Sequence, residues 1–154
     1  MKHLIQGFVF GISMSFISWI VGMIVNSLLM KTELHYKLSN LNFIKSKDFN
    51  KKIGMKPFKW IVKNTFFKYF NQKIKVESQN DDLIEIRKEM VISEISHLIG
   101  FVFVVIFASY KIFSAGIIFG ATMMIPNSLM NLYPSLLQQE NKRRIDNLLK
   151  RKNR

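Results

Sequence analysis

The chain has 154 residues, a length typical of one modest domain, and 23 Lys and Arg against 10 Asp and Glu give it a net charge of +13. In a soluble protein this excess would indicate a nucleic-acid partner. The charges are segregated, however, because none occurs from Leu4 to Met30 and only Lys111 occurs from Ile95 to Gln139. Such apolar stretches are typical of a chain that spans a bilayer. They exclude an ordinary soluble domain and, with it, nucleic-acid binding, and the 14 Phe exclude a disordered basic tail.

The apolar stretches predict an all-α integral membrane protein with three transmembrane helices, forming a single membrane domain over residues 1–154. The second apolar region, of 45 residues, is too long for one crossing and suits two. Lys111 and the following Ser114-Ala115-Gly116 mark a short hairpin between these two crossings. The three helices are predicted at about 4–30, 92–110 and 114–137.

Basic residues predict the orientation of these helices. The segment 31–94 has 14 basic and 8 acidic residues, and the tail 140–154 has 7 basic and 2 acidic residues. With three crossings, both segments lie on one side of the membrane, and the positive-inside rule places that side in the cytoplasm. We therefore expect a multi-pass protein of the cell membrane with its N-terminus outside.

The cytoplasmic loop 31–91 is predicted to contain an amphipathic helix at 57–72. Pro57 suits the first turn of a helix, and apolar and aromatic residues then recur at helical spacing, with lysines on the other side. Such a helix is typical of the interface of an anionic membrane, and the alternative is a soluble helix packed on its own loop. A further helix is expected to run from about Asp82 directly into the second span.

Small residues follow one face of the first span, at Gly7, Gly11, Ser15, Ser18 and Gly22. Small residues four apart let two membrane helices approach closely. Gly116 and Gly120 form a second such pair. These faces favour packing within the chain, or association in a homo-oligomer or hetero-oligomer.

Polar side chains are predicted to converge near the cytoplasmic face. The third span and its extension carry a stripe of Asn127, Asn131, Pro134, Gln138 and Asn141. The second span carries Glu94 and His97, which are neighbours on one helix face, and Asn26 ends the first span on the same side. An ionisable residue inside a membrane helix is a functional-site hypothesis by default. The structural alternative is that these side chains merely hold the helices together.

The residue types restrict the chemistry of such a site. A His beside a carboxylate acts as a general base toward a hydroxyl. A metal site is not expected, because the spans hold no further His, Asp or Glu, and no phosphate-binding loop or serine nucleophile motif is present. The flanking basic residues suit a phosphate-bearing donor or anionic lipid head groups.

Three stretches resemble one known family. The stretch Asn131 to Arg144 (N-L-Y-P-S-L-L-Q-Q-E-N-K-R-R) is similar to the end of the glycosyl-4,4'-diaponeurosporenoate acyltransferases, where Asn and Pro precede a short apolar run and Q-R-Y-N-R-x-R. The stretch Glu89 to His97 (E-M-V-I-S-E-I-S-H) resembles the E-T-x-R-A-E-x-x-H segment of that family. The Gly54 to Lys59 stretch is similar to its glycine followed by an aromatic-Lys pair. The matching positions are Glu89, Glu94, His97, Asn131, Gln138, Asn141 and Arg144.

The chain departs from the family pattern at three places. Ile92 stands where arginine is expected, Gln139-Glu140 replaces Arg-Tyr, and Lys142 replaces an arginine. Lysine lacks the planar fork of arginine, so these departures bear on whether the same substrate is used.

The resemblance implies esterification of a glycosyl hydroxyl on a carotenoid by a fatty acyl group. In that activity His97 would accept the proton of the sugar hydroxyl, and Glu94 would orient or stabilise His97. Asn131 and Gln138 would donate hydrogen bonds to the acyl carbonyl. The substrate-binding set is completed by Glu89 and by a donor-phosphate group of Asn141, Lys142 and Arg144. No cofactor is implied beyond an acyl donor such as acyl-CoA, and the partners are membrane lipids and a lipid or glycolipid substrate.

Two other functions are compatible with the sequence. A non-catalytic membrane protein, either a complex subunit or an anionic-lipid-binding module, would explain the spans and the basic rim. A small alkyl-group transferase resembling the methyltransferases would also keep a polar C-terminal end, although no sulfonium-binding motif is present. A cavity lined by the predicted site residues favours an enzyme, whereas side chains sealed pairwise between helices favour a subunit.

Overall fold

A computed structural model describes residues 1–43, 52–65 and 80–152, and these ranges contain helices and no strand. A single π-helical turn, Ser128–Leu132, joins the last two helices. The helices are α1 (Lys2–Leu29), α2 (Glu33–Ser39), α3 (Met55–Asn64), α4 (Asn80–Ala115), α5 (Ile117–Asn127) and α6 (Tyr133–Lys152). The predicted all-helical class is therefore confirmed in the part of the chain that the structure describes.

Two of the three predicted membrane helices have the required length and apolar character. They are α1 and the Asp82–Ala115 part of α4. The predicted continuation of α4 from the cytoplasmic loop into the apolar segment is confirmed, since the helix begins at Asn80. No third helix of this kind is found among the described residues, so the prediction of a single helix over 114–137 is wrong.

The third apolar segment is divided because its sequence cannot continue one regular helix. The chain turns at Gly116, whose φ of 97° suits only glycine, as the predicted hairpin requires. The helix that follows, α5, has 11 residues. Pro134 lacks an N–H group and its ring crowds the carbonyl of Met130, four residues earlier. The helix widens into the π turn just before this proline.

The π turn has a consequence for the neighbouring helix. The Met130 carbonyl has lost the proline as a helical donor, and the indole Nε1 of Trp19 donates to it instead at 3.2 Å. Wide turns of this kind often occur at functional sites. Here the turn connects α1 to the point where α5 passes into α6.

Small residues allow α1 to contact α4 and α5 closely. A Cβ atom at Gly22 would lie 2.2 Å from the carbonyl oxygen of Ser96, and one at Gly7 would lie 2.2 Å from Oγ1 of Thr122. Both distances are far below van der Waals contact, so only glycine fits. Asn26 adds a polar link, because its Nδ2 donates to Oγ of Ser96 at 3.1 Å.

Helix α3 packs on α6. Its Met55 and Val62 are buried with Leu136 and Leu137, and the Tyr133 hydroxyl donates to the carbonyl of Ile53 at 2.6 Å. The sequence predicted this amphipathic helix at 57–72, and the structure places it at Met55–Asn64. Residues 66–72 lie outside the described residues.

Candidate functional site

An apolar groove of about 780 Å³ lies between α1, α3, α4, the end of α5, the π turn and α6. Its volume falls in the range of small-molecule sites, which is about 300–1,000 Å³. Met23 is 58% exposed and Leu129 47% exposed, so the groove is open to the surface of the protein at these two residues. The apolar wall residues are Phe8, Ile12, Trp19, Met23, Phe58, Ile61, Val62, Ile92, Pro126, Leu129, Met130, Pro134 and Leu137.

The groove contains few polar side chains, and two of the predicted site residues stand out among them. Within the described ranges, Nδ1 of His97 and Oε1 of Gln138 are buried and have no hydrogen-bond partner. Leaving a buried polar atom unpaired costs about 1–3 kcal/mol, so a ligand that forms a hydrogen bond with either atom would remove this cost. The remaining polar residues of the wall are Glu89, Ser93 and Ser96.

Aromatic packing fixes the position of His97. The Trp19 ring meets the imidazole edge to face, with 6.2 Å between ring centroids and an angle of 90°. Trp19 is itself held by its bond to the Met130 carbonyl. The orientation of the imidazole therefore depends on α1 and on the π turn.

Asn131 lies behind the groove. Its Nδ2 donates to Oγ of Ser18 and to Oδ1 of Asn127, both at 2.9 Å. Asn127 in turn donates to the carbonyl of Phe101 at 3.2 Å. One Asn131 amide hydrogen thus joins the π turn to α1 and the other bonds four residues back along the same helical run, while the side chain stays within interaction range of His97.

Glu94 forms a buried ion pair with Lys142. Nζ of Lys142 lies 2.6 Å from Oε2 of Glu94, and the two side chains are 4% and 1% exposed. The same Nζ donates to the carbonyls of Ser39 at 2.9 Å and Leu41 at 3.1 Å. The pair therefore joins α4, α6 and the end of α2.

This arrangement differs from the hypothesis that Glu94 orients His97. Residues three apart on a helix point about 60° apart, and this difference directs Glu94 to Lys142 and His97 to the groove. Lys142, expected to hold a donor phosphate, is likewise committed to the interior of the protein. Gln139, which replaces a family arginine, is also buried, and its Oε1 accepts a bond from the Phe43 N–H at 2.9 Å.

A small basic pocket of about 70 Å³ lies beside the groove. Its polar lining consists of Lys59 and Lys63 from α3 and Asn141 and Arg144 from α6, and the last two were predicted from the sequence. The contribution of α3 was not, although the Phe58-Lys59 pair belongs to one of the family-like stretches.

The basic pocket is bordered by one carboxylate. Glu140 is ion-paired with Lys59 and, at 2.8 Å, with Arg144. Burial raises the pKa of Glu140, but the nearby Lys59, Arg144 and Arg143 outweigh this effect and hold the pKa below its ordinary value. Glu140 therefore stays charged at neutral pH and neutralises part of the pocket.

The described residues define a helical protein with two apolar helices long enough to cross a membrane and an apolar groove of about 780 Å³ whose wall includes a histidine. A family model described as glycosyl-4,4'-diaponeurosporenoate acyltransferase matches residues 31–151. The chain belongs to this family, and the resemblance inferred from its motifs is confirmed. The match includes every predicted site residue and leaves out α1. Neither a curated protein nor a solved structure matches the chain.

Proposed function

We propose that the protein is an integral membrane acyltransferase that transfers a fatty acyl group to a hydroxyl of a glycosylated carotenoid or a related lipid. Membership of an acyltransferase family supports the class of reaction. The observation that carries the proposal is the unpartnered buried Nδ1 of His97 on the wall of a 780 Å³ apolar groove. This geometry brings a candidate base to a space suited to lipid chains.

The proposal includes a three-crossing arrangement in the membrane. Large apolar side chains are exposed on the outside of α1, α4 and α5, as illustrated by Ile20 at 58%, Ile106 at 63% and Ile117 at 70%. Such broad apolar surfaces are uncommon on soluble monomers. The third crossing consists of α5, the π turn and the start of α6. The N-terminus is external, and α3, with Trp60 66% exposed, lies at the cytoplasmic interface.

In the proposed reaction, His97 accepts the proton of the acceptor hydroxyl. The hydroxyl oxygen attacks the carbonyl carbon of an acyl thioester, the new C–O bond forms, and the C–S bond breaks. The proton passes from His97 to the leaving thiolate. The amide N–H of Gln138 donates to the carbonyl oxygen as negative charge develops there.

A non-catalytic role as a subunit is the second candidate, and the sealed contacts favour it. The Glu94–Lys142 pair and the Asn131–Ser18 bond join helices and need no substrate to explain them. His97 is different, because it lines the groove, which Glu94 and Asn131 do not, and its buried Nδ1 has no hydrogen-bond partner among the described residues. We therefore prefer the enzyme.

The test is lipid and pigment profiling of cells that make a glycosylated carotenoid. Cells would carry no protein, the wild type, His97→Ala or, as a control, His3→Ala at an exposed position of α1. We expect His97→Ala to lower formation of the acylated species by about 10²–10⁴-fold, the usual contribution of a general base. His3→Ala should act as the wild type does. Full acylation by a stably folded His97→Ala protein would show that His97 is not the base.

A further inference from the structure

The basic pocket and the apolar groove are neighbours. Val62 and Leu137 form part of the wall of both, so the two spaces lie on either side of the contact between α3 and α6. Three cationic side chains, those of Lys59, Lys63 and Arg144, line the basic pocket. His97 and the apolar walls belong to the groove.

This arrangement is complementary to an amphiphile with an anionic head. Arginine and lysine form their strongest hydrogen bonds with phosphate and carboxylate groups. The Asn141 side chain, which is 8% exposed, adds a neutral polar group at the same place. A donor with its head in this pocket would reach the groove with its fatty chain by crossing the surface over Val62 and Leu137, the wall residues that the two spaces share.

We propose that the basic pocket binds the phosphate group of the acyl donor, whose fatty chain lies in the apolar groove. The donor is then a phosphate-bearing acyl thioester, and its reactive carbonyl is directed toward His97. This inference rests on the proposed function for the donor's role, but binding of the phosphate itself is measurable without any acyl transfer.

The carboxylate of Glu140 competes with a bound phosphate for the same cationic side chains. Its carboxylate already pairs with Lys59 and Arg144, so a phosphate must share or replace these contacts. Removing the Glu140 charge while keeping its shape should therefore strengthen phosphate binding. If Glu140 only held α3 in place, removing its charge should weaken phosphate binding instead.

The first experiment measures binding of palmitoyl-CoA to the full chain in phosphatidylcholine nanodiscs. Lys63→Ala should raise the dissociation constant about tenfold, the loss expected for one charge-assisted contact. Lys56→Ala is the matched control, because Lys56 is an exposed lysine on the same helix that does not line the basic pocket. It should change the constant less than twofold.

A phosphate-free probe separates the head from the chain. Binding of the N-acetylcysteamine thioester of palmitate should be equal in the wild type and Lys63→Ala. If Lys63→Ala weakens both probes equally, the pocket does not read the phosphate and the proposal is overturned. Phosphatidylglycerol added to the nanodiscs serves as a third probe. If Lys63→Ala weakens the binding of phosphatidylglycerol alone, the pocket binds the phosphate of a lipid head group and the proposed thioester donor is overturned.

The second variant, Glu140→Gln, guards against a general loss of folding. It should tighten palmitoyl-CoA binding severalfold, which a misfolded protein cannot do. Unchanged or weaker binding would contradict the competition. The protein could bind palmitoyl-CoA in a manner that depends on Lys63 and Glu140 and yet show no acyl transfer. This result would support the phosphate site and contradict the proposed function.

Discussion

The buried pair of Glu94 and Lys142 offers the sharpest test of how the site is held. Lys142→Met removes the ion-pair partner of Glu94, and it also leaves the carbonyls of Ser39 and Leu41 without their lysine donor. Breaking a buried ion pair from one side costs about 3–5 kcal/mol. We expect a loss of stability in this range.

The double variant Glu94→Leu/Lys142→Met should recover much of that loss. It removes both charges from an environment in which the two side chains are 1% and 4% exposed, and apolar replacement of a buried pair is often neutral. The remaining cost, about 1–3 kcal/mol, comes from the two unsatisfied carbonyls. The single variants should therefore be coupled by about 2 kcal/mol or more.

The assay is reversible unfolding of the four proteins of this cycle in one detergent, followed by acyl transfer. Additive effects of the two single substitutions would refute the proposed role of the ion pair. The acyl-transfer activity of the double variant distinguishes between the two roles considered for Glu94. A structural Glu94 predicts that the double variant keeps activity, whereas a Glu94 that orients His97 predicts that it loses activity like His97→Ala.

Two further predictions concern the walls of the site. Gly22→Leu should lower the unfolding temperature, because its Cβ would lie 2.2 Å from the Ser96 carbonyl oxygen and overpacking typically costs about 1–3 kcal/mol; Ser13→Leu, on the exposed side of α1, is the control and should have little effect. The Glu140 ion pairs should stabilise the wild type over Glu140→Gln above the ordinary pKa of 4.5, and this advantage should vanish as the pH falls through the lowered pKa. If Ser13→Leu lowered the unfolding temperature as much as Gly22→Leu does, the packing argument would be contradicted. If the wild type stayed more stable than Glu140→Gln in acid, the argument for the ion pairs would be contradicted.

Local patterns predicted the helices well. Long charge-free stretches predicted α1 and the apolar part of α4, and Gly116 marked the hairpin. The single helix over 114–137 was wrong, although Pro126 and Pro134 within it are residues of the type that breaks a helix. Pro134 removes a donor and favours the π turn that interrupts α5 and α6.

The site was only partly predictable because its contacts join distant segments. Glu94 and His97 were expected to act together because they are three residues apart on one helix. The partner of Glu94 is 48 residues away, and no local pattern encodes such a pairing. The basic pocket likewise needs α3 to dock on α6, which places Lys63 beside Arg144.

The most direct test of the central claim is acyl transfer by the purified protein in nanodiscs. The wild type, His97→Ala and His3→Ala would receive a labelled fatty acyl thioester and a glycosylated carotenoid, and label in the acceptor would be measured in a single turnover. We predict labelled acceptor with the wild type and His3→Ala, and a rate lower by about 10²–10⁴-fold with His97→Ala. Equal rates in all three proteins, or no labelled acceptor with a folded wild type, would contradict the account.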